Sequence, residues 1–202
     1  EWILKARQRK LLYLHFTMGD NPALSETVRK RYERMYSGSF YQRFVLGLWT
    51  AAQGAVYPMF CQEEHVVDQA PPCEEFYISC DYGTRNPMSM GLWGRAGDTW
   101  YRLKEFYHSG RESGEQKTDE EYYQALRELA RGREIQGVIV DPSAASFLEC
   151  VRRHRQFPCI PADNRVELGI QRVGQWLKDG RLKFCRQCVN ALREFQLYRW
   201  NP

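Results

Sequence analysis

From residue 76 onward the chain alternates short apolar runs with stretches of helical periodicity, and each change of period falls at a turn signal. Residues 76–80, 88–93 and 99–106 read as strands, the second and third joined by Gly94-Arg-Ala-Gly-Asp98, a hairpin signal. A polar loop over 108–117 leads to Thr118-Asp-Glu-Glu121, a capping box that opens a helix with Leu126, Leu129 and Ala130 turned inward. Residues 135–140 form an apolar strand, a pattern that predicts a central position with both faces covered. Asp141-Pro142 ends it, and Ser143 opens a helix carrying Phe147, Leu148 and Val151. A short run over 157–160 comes next. The following helix shows Val166, Ile170, Val173 and Leu177, a brief strand covers 181–184, and a last helix spans about 186–199.

Before residue 76 the pattern is sparser. Leu11-Leu-Tyr-Leu-His-Phe16 reads as a strand, and Gly19-Asp-Asn-Pro22 as a turn. Ser25 caps a helix with Val28, Tyr32 and Met35 on one face and Arg29, Lys30, Arg31 and Arg34 between them. Ser37-Gly38 breaks it, and a second helix carries Phe40, Phe44, Val45 and Leu48. Residues 1–50 are too few for a good core of their own. Residues 61–75 read as a linker or a peripheral strand.

Composition narrows the class. The 202 residues are 43% hydrophobic and 27% charged, which is globular rather than disordered. The net charge of +4 accommodates a nucleic-acid partner without demanding one. No apolar run reaches the roughly 18 residues of a membrane span, and the sequence shows no charged-then-apolar leader, so neither a membrane nor secretion is expected. A first residue that is Glu1 rather than Met suggests an excised fragment. Of the 7 cysteines only Cys185 and Cys188 have metal-like spacing, and no second pair completes a site. The cysteines are therefore expected to be ordinary reduced thiols.

The chemistry concentrates at two strand ends. Asp81, in Phe76-Tyr-Ile-Ser-Cys-Asp81-Tyr-Gly-Thr84, and Asp141 each follow an apolar strand. If those strands are neighbours, the carboxylates meet at one sheet edge and offer the hard oxygen ligands of a magnesium or manganese site. Two such ions roughly 3.5–4 Å apart stabilise both oxygens of a phosphodiester displacement. Gly83 would let backbone pass close to a phosphate. Both aspartates also suit turns. Asp163 reads as a helix N-cap and Glu105 as a surface or cross-strand charge. His15, His65, His108 and His154 show no ligand spacing, and Arg85, Arg152, Arg153 and Arg165 are candidates for phosphate contact. No Gly-x-x-x-x-Gly-Lys-Ser/Thr loop is present.

The element order, three antiparallel strands and then strands alternating with helices, is that of a ribonuclease H-like α/β mixed sheet flanked by helices. Four stretches extend the likeness: His15-Phe-Thr-Met-Gly-Asp-Asn-Pro22, the run from Arg34 to Trp49, Tyr77-Ile-Ser-Cys-Asp-Tyr-Gly-Thr-Arg-Asn-Pro87 and Val138-Ile-Val-Asp-Pro-Ser143. With Ala162-Asp-Asn-Arg165 and Gly180-Arg-Leu182 they resemble, in order, the large terminase subunit of tailed phages.

The resemblance implies that residues 1–55 are the end of an ATPase motor with its connecting helices, and 56–202 a ribonuclease H-like nuclease domain. It implies a metal-dependent endonuclease cutting concatemeric double-stranded DNA during genome packaging. Asp81 and Asp141 would be the catalytic, magnesium- or manganese-binding residues. Portal protein and small terminase subunit are the implied partners, and the cytoplasm of the infected bacterium the implied compartment. The family's third acidic ligand lies in an Asp-His-x-x-Asp motif not found before Pro202, so metal binding is expected to be weak or single-site and the fragment inactive. The alternatives are another ribonuclease H-like enzyme, of integrase or resolvase type, and a non-catalytic DNA-binding or portal-docking module.

Overall fold

The computed structural model describes residues 14–36, 41–48, 54–83 and 86–200. They fall into two compact units, one drawn from residues up to Pro58 together with Arg199 and Trp200, the other Met59–Tyr198. Among the described residues no helix is long and apolar enough to cross a membrane.

In the first unit α1 spans Glu26–Met35, and the Ser25 hydroxyl accepts the Val28 N–H at 3.4 Å, as the sequence predicts. None of its residues is buried. Tyr32 stacks on Tyr36, and Tyr36 in turn packs against Phe44. The strand expected around 11–16 does not form where it is described: Leu14 and Phe16 stand 61% and 68% exposed, and residues 11–13 lie outside the described residues. No neighbouring strand among the described residues supplies the hydrogen bonds that a strand needs; instead the His15 ring bonds the Leu46 carbonyl at 2.7 Å. The second expected helix is a π-helical turn, Tyr41–Val45, and Phe40 lies outside the described residues.

The second unit begins with α2 (Gln62–His65) and β1 (Val66–Val67), so the stretch read as linker or peripheral strand is a helical turn and an edge strand. Then follow β2 (Glu75–Asp81), β3 (Met88–Ala96), β4 (Thr99–His108), α3 (Gly110–Ser113), α4 (Asp119–Ala130) and β5 (Ile135–Val140). The unit ends with α5 (Ala145–His154), β6 (Cys159–Pro161), α6 (Val166–Lys178), β7 (Leu182–Cys185) and α7 (Val189–Leu197). The seven strands make one sheet in the order β1-β7-β4-β3-β2-β5-β6. β2, β3 and β4 are antiparallel, whereas β5, β6, β7 and β1 join in parallel.

The core explains this order. Ile78 and Cys80 of β2, Met90 and Leu92 of β3, and Val138 and Val140 of β5 are buried beneath Leu126, Phe147 and Val151 of α4 and α5. A second cluster joins Phe60, Phe184 and Phe195, with ring centroids 4.7 Å apart for Phe60–Phe195 and 4.9 Å for Phe184–Phe195. His65, 1% exposed, donates from Nε2 to the Leu177 carbonyl at 2.9 Å and accepts the Cys61 N–H at Nδ1, tying α2 to the end of α6.

Local signals hold with four adjustments, the first a single helical turn, α3, inside the stretch 108–117 read as a polar loop. The capping box of α4 forms as expected, Glu121 accepting the Thr118 N–H at 2.8 Å. α5 starts at Ala145 rather than at Ser143, because Asp141 takes the Ser143 N–H. β5 is interior but lies one strand from the edge, since β6 covers its outer side; β3 holds the centre. Val166, expected inward, is 65% exposed in the first turn of α6, while Ile170 and Leu177 are buried.

Glu105 departs furthest from expectation. It is not a surface or cross-strand charge: its side chain is 6% exposed and closes the N-terminus of α7. Its oxygens accept the Asn190 N–H at 2.7 Å, the Ala191 N–H at 3.1 Å and the Asn190 amide at 3.1 Å. Arg102, 12% exposed, approaches it to 3.6 Å and lies over the Trp93 ring. A Cβ on Gly91 would stand 2.5 Å from that guanidinium, so the glycine leaves room for it. The carboxylate thus answers both a buried cation and the positive end of a helix. Glu105→Ala is expected to destabilise the second unit by about 3–5 kcal/mol, measured as a lower urea midpoint at unchanged m-value. Glu105→Gln, which keeps an acceptor for α7, should lose less.

Candidate metal centre

β2 and β5 are adjacent and parallel, which is the condition under which their terminal aspartates meet. Cys80 pairs with Val140, so the next residue on each strand, Asp81 and Asp141, emerges at a neighbouring position on the C-terminal edge. Strand spacing there is roughly 4.8 Å. The alignment depends on a register shift between Phe76 and Tyr77: Phe76 faces Ile135 but Tyr77 faces Gly137, leaving Gln136 unpaired with β2. An unshifted ladder would set Asp81 beside Val140 instead.

The two carboxylates have different surroundings. Asp81 is exposed, faces Ser89 across β3, and makes no hydrogen bond or ion pair among the described residues. Asp141 is half-buried and accepts the Ser143 N–H at 2.7 Å. That backbone donor, with the Ser143 and Asn164 side chains, holds its carboxyl below the usual aspartate range. Asp141 is therefore ionised and oriented, whereas the Asp81 carboxylate has no hydrogen-bond partner among the described residues.

The backbone after Asp81 is anchored from behind. Tyr82 donates its hydroxyl to Asp119 Oδ1 at 2.7 Å and stacks on Phe147 with centroids 5.5 Å apart. A Cβ on Gly83 would come within 2.2 Å of the Asn86 carbonyl oxygen. The glycine is thus required by the loop's own backbone, a tighter constraint than the phosphate approach read from the sequence. Thr84 and the phosphate candidate Arg85 lie outside the described residues.

Asp163 is not an N-cap. Arg165 occupies that position of α6 without a side-chain bond, and Asp163 grips the Arg165 guanidinium through contacts of 2.6, 2.8 and 3.1 Å. The pairing holds the Asp163 carboxyl down to about 2. Arg153 pairs with Glu149 at 3.0 Å. Both arginines are thus held locally by carboxylates. Cys185 and Cys188 are buried, and burial pushes the Cys188 thiol up to about 12 while it donates to the Arg102 carbonyl; they form no thiolate pair.

Sequence reasoning missed Asn164, Tyr82 and Asp119 as supports of the site. Asn164 had one legible signal, its place three residues after the strand that neighbours β5; the reach of Asp119 to Tyr82 had none.

No protein-family model matches the chain, and no curated protein does. Solved structures do. The large terminase of a thermophilic bacteriophage is 46% identical over 100% of this chain and 52% of its own, with a TM-score of 0.83. The chain therefore spans about half the length of that relative, which has also been solved with ADP. The P22 large terminase nuclease domain is 18% identical over 74% of this chain and 81% of its own, at a TM-score of 0.57. The nuclease of the large terminase from thermophilic phage G20c, solved with bound cobalt, is 11% identical over 72% and 80%, at 0.54. These last two share the fold, the ribonuclease H-like mixed sheet described above. The 46% identity to a large terminase over the whole of this chain shows that it belongs to the large terminase subunits of bacteriophages.

Proposed function

We propose that the second unit belongs to a metal-dependent endonuclease domain that cuts double-stranded DNA during viral genome packaging, with Asp81 and Asp141 as metal-binding residues. The observation that supports this reading is the β2–β5 register, in which Asp81 and Asp141 follow the paired residues Cys80 and Val140 at one sheet edge. The donor set fits a hard divalent ion: Asp81 is exposed and without a cation partner among the described residues, and Asp141 is held ionised. The cobalt bound by the G20c nuclease, which has the same fold, supports a divalent ion, and we assign magnesium or manganese. Such an ion would supply the Lewis acidity that phosphodiester hydrolysis needs.

The chain's own residues supply position. The Ser143 N–H and the Asn164 side chain fix Asp141, Tyr82 fixes the backbone that follows Asp81, and Gly83 permits the turn back to β3. Similarity to a large terminase over the whole chain further supports portal protein and small terminase subunit as partners and the infected bacterial cytoplasm as the place of action. It equally supports reading the first unit as the end of the motor.

The test pairs binding with cutting. Manganese affinity is measured on this chain by calorimetry, and cleavage of plasmid DNA on a polypeptide of the family's full length. Asp81→Asn and Asp141→Asn should each reduce cleavage to background and weaken manganese binding with the melting temperature kept. A variant that still cuts at the parental rate would sink the assignment of that residue.

Supports of the site should show graded effects. Asn164→Ala is expected to weaken manganese affinity about tenfold. Gly83→Ala, which forces the Asn86 carbonyl to move, should weaken it about 10–100-fold and lower the melting temperature as well.

A further inference from the structure

Away from the sheet edge, α4 and α5 bring three different donor atoms together. Glu120 lies in the first turn of α4, and Cys150 and His154 lie four residues apart on α5, which puts them on one face. Their ligand atoms all lie within 4.8 Å of one another. Glu120 Oε2 stands 3.0 Å from His154 Nε2 and 3.6 Å from Cys150 Sγ. A tetrahedral ion with the usual zinc bond lengths requires donor separations of roughly 3.3–3.6 Å. The two separations bracket that range: the glutamate–histidine pair has to open by a few tenths of an ångström, and the cysteine–histidine pair to close by about 1.3 Å at most.

The histidine is already seated. Its ring stacks face to face on Tyr123, with centroids 3.8 Å apart and planes 5° from parallel, and Tyr123 is itself fixed by its bond to Gln156. A glutamate–histidine ion pair on a surface needs neither that rigid seat nor a thiol at the same carboxylate. The neighbouring cation Arg153 is turned away onto Glu149. Glu120 and His154 are exposed, which leaves a side of the cluster open for water as a fourth ligand.

The geometry points to a second metal site, formed by Glu120, Cys150 and His154, that takes a borderline-soft transition ion of the zinc class and staples α4 to α5. The thiolate and imidazole donors select such an ion over magnesium, which prefers an all-oxygen shell. On binding, the Cys150 thiol gives up its proton to solvent, so that thiolate and carboxylate offset the charge of the ion. The staple also has a structural target. Glu120 follows Asp119, which holds Tyr82, and Phe147, one turn before Cys150, stacks on that same tyrosine.

Cobalt titration of the metal-stripped chain tests this, with absorption as the readout. The expected result is a near-ultraviolet thiolate-to-cobalt band with visible bands of tetrahedral intensity, saturating at one ion. The band should persist in the Asp81→Asn/Asp141→Asn double variant, which keeps this site separate from the proposed nuclease centre. Cys150→Ser should abolish the band, and His154→Ala and Glu120→Gln should weaken binding tenfold or more. Zinc at hundredfold excess over its Kd should raise the melting temperature by roughly 5–10 °C, and Cys150→Ser should lose that rise while melting normally without metal. Absence of a thiolate band in the parental chain, or a band that survives Cys150→Ser, would overturn the proposal.

Discussion

The parallel pairing of β2 with β5 is the constraint on which the rest depends. Strand pairing is periodic in two residues, so a slip of one exchanges the faces of every side chain. Here the ladder carries one irregularity, at Gln136, and beyond it every pair up to Cys80–Val140 is in step. That single unpaired residue moves Asp141 level with Asp81. It also keeps Ile78, Cys80, Val138 and Val140 together under α4 and α5, so the burial that stabilises the sheet and the alignment of its acidic edge have one cause.

The two sides of the sheet about its central strand are secured by different physics. On the β5 side, apolar packing and local turns suffice: an aspartate that accepts its own Asx-turn hydrogen bond, a tyrosine wedged on Phe147, a glycine where no Cβ fits. On the β4 side, a buried charge does the joining. Glu105 reaches across to the first amides of α7 and meets Arg102 on its own strand. A burial of that kind is tolerated because every charge in it finds donors or a countercharge; with one removed, the others are left in a low-dielectric interior.

The elements that could be read from the chain were those whose signal is short-range. The hairpin, whose turn narrows from 94–98 to Gly97-Asp98, the capping box at Thr118, the α4 stripe of Leu126, Leu129 and Ala130, and the order of strands and main helices from residue 76 depend on residues within a few positions of one another, and they follow the expectation apart from the added turn of α3. The misread elements share the opposite property. Leu14 and Phe16 have the composition of a strand but no partner strand among the described residues, and the apolarity of Val166 falls on an exposed first turn. Glu105 sits in a strand of mixed polarity and gives no local sign that a helix begun 84 residues later needs a cap.

By itself, then, the sequence determined two aspartates at strand ends, a mixed α/β order, and likeness to a family of which the chain spans about half of one member's length. Only the tertiary structure decided whether those strands are neighbours and in what register, because pairing is a property of two segments far apart in the chain and depends on a bulge that leaves no mark in composition. It decided in the same way that Asn164 supports Asp141 and that Glu120, Cys150 and His154 share one corner. Side chains scattered along a chain acquire a common chemistry only when packing sets the distances between them.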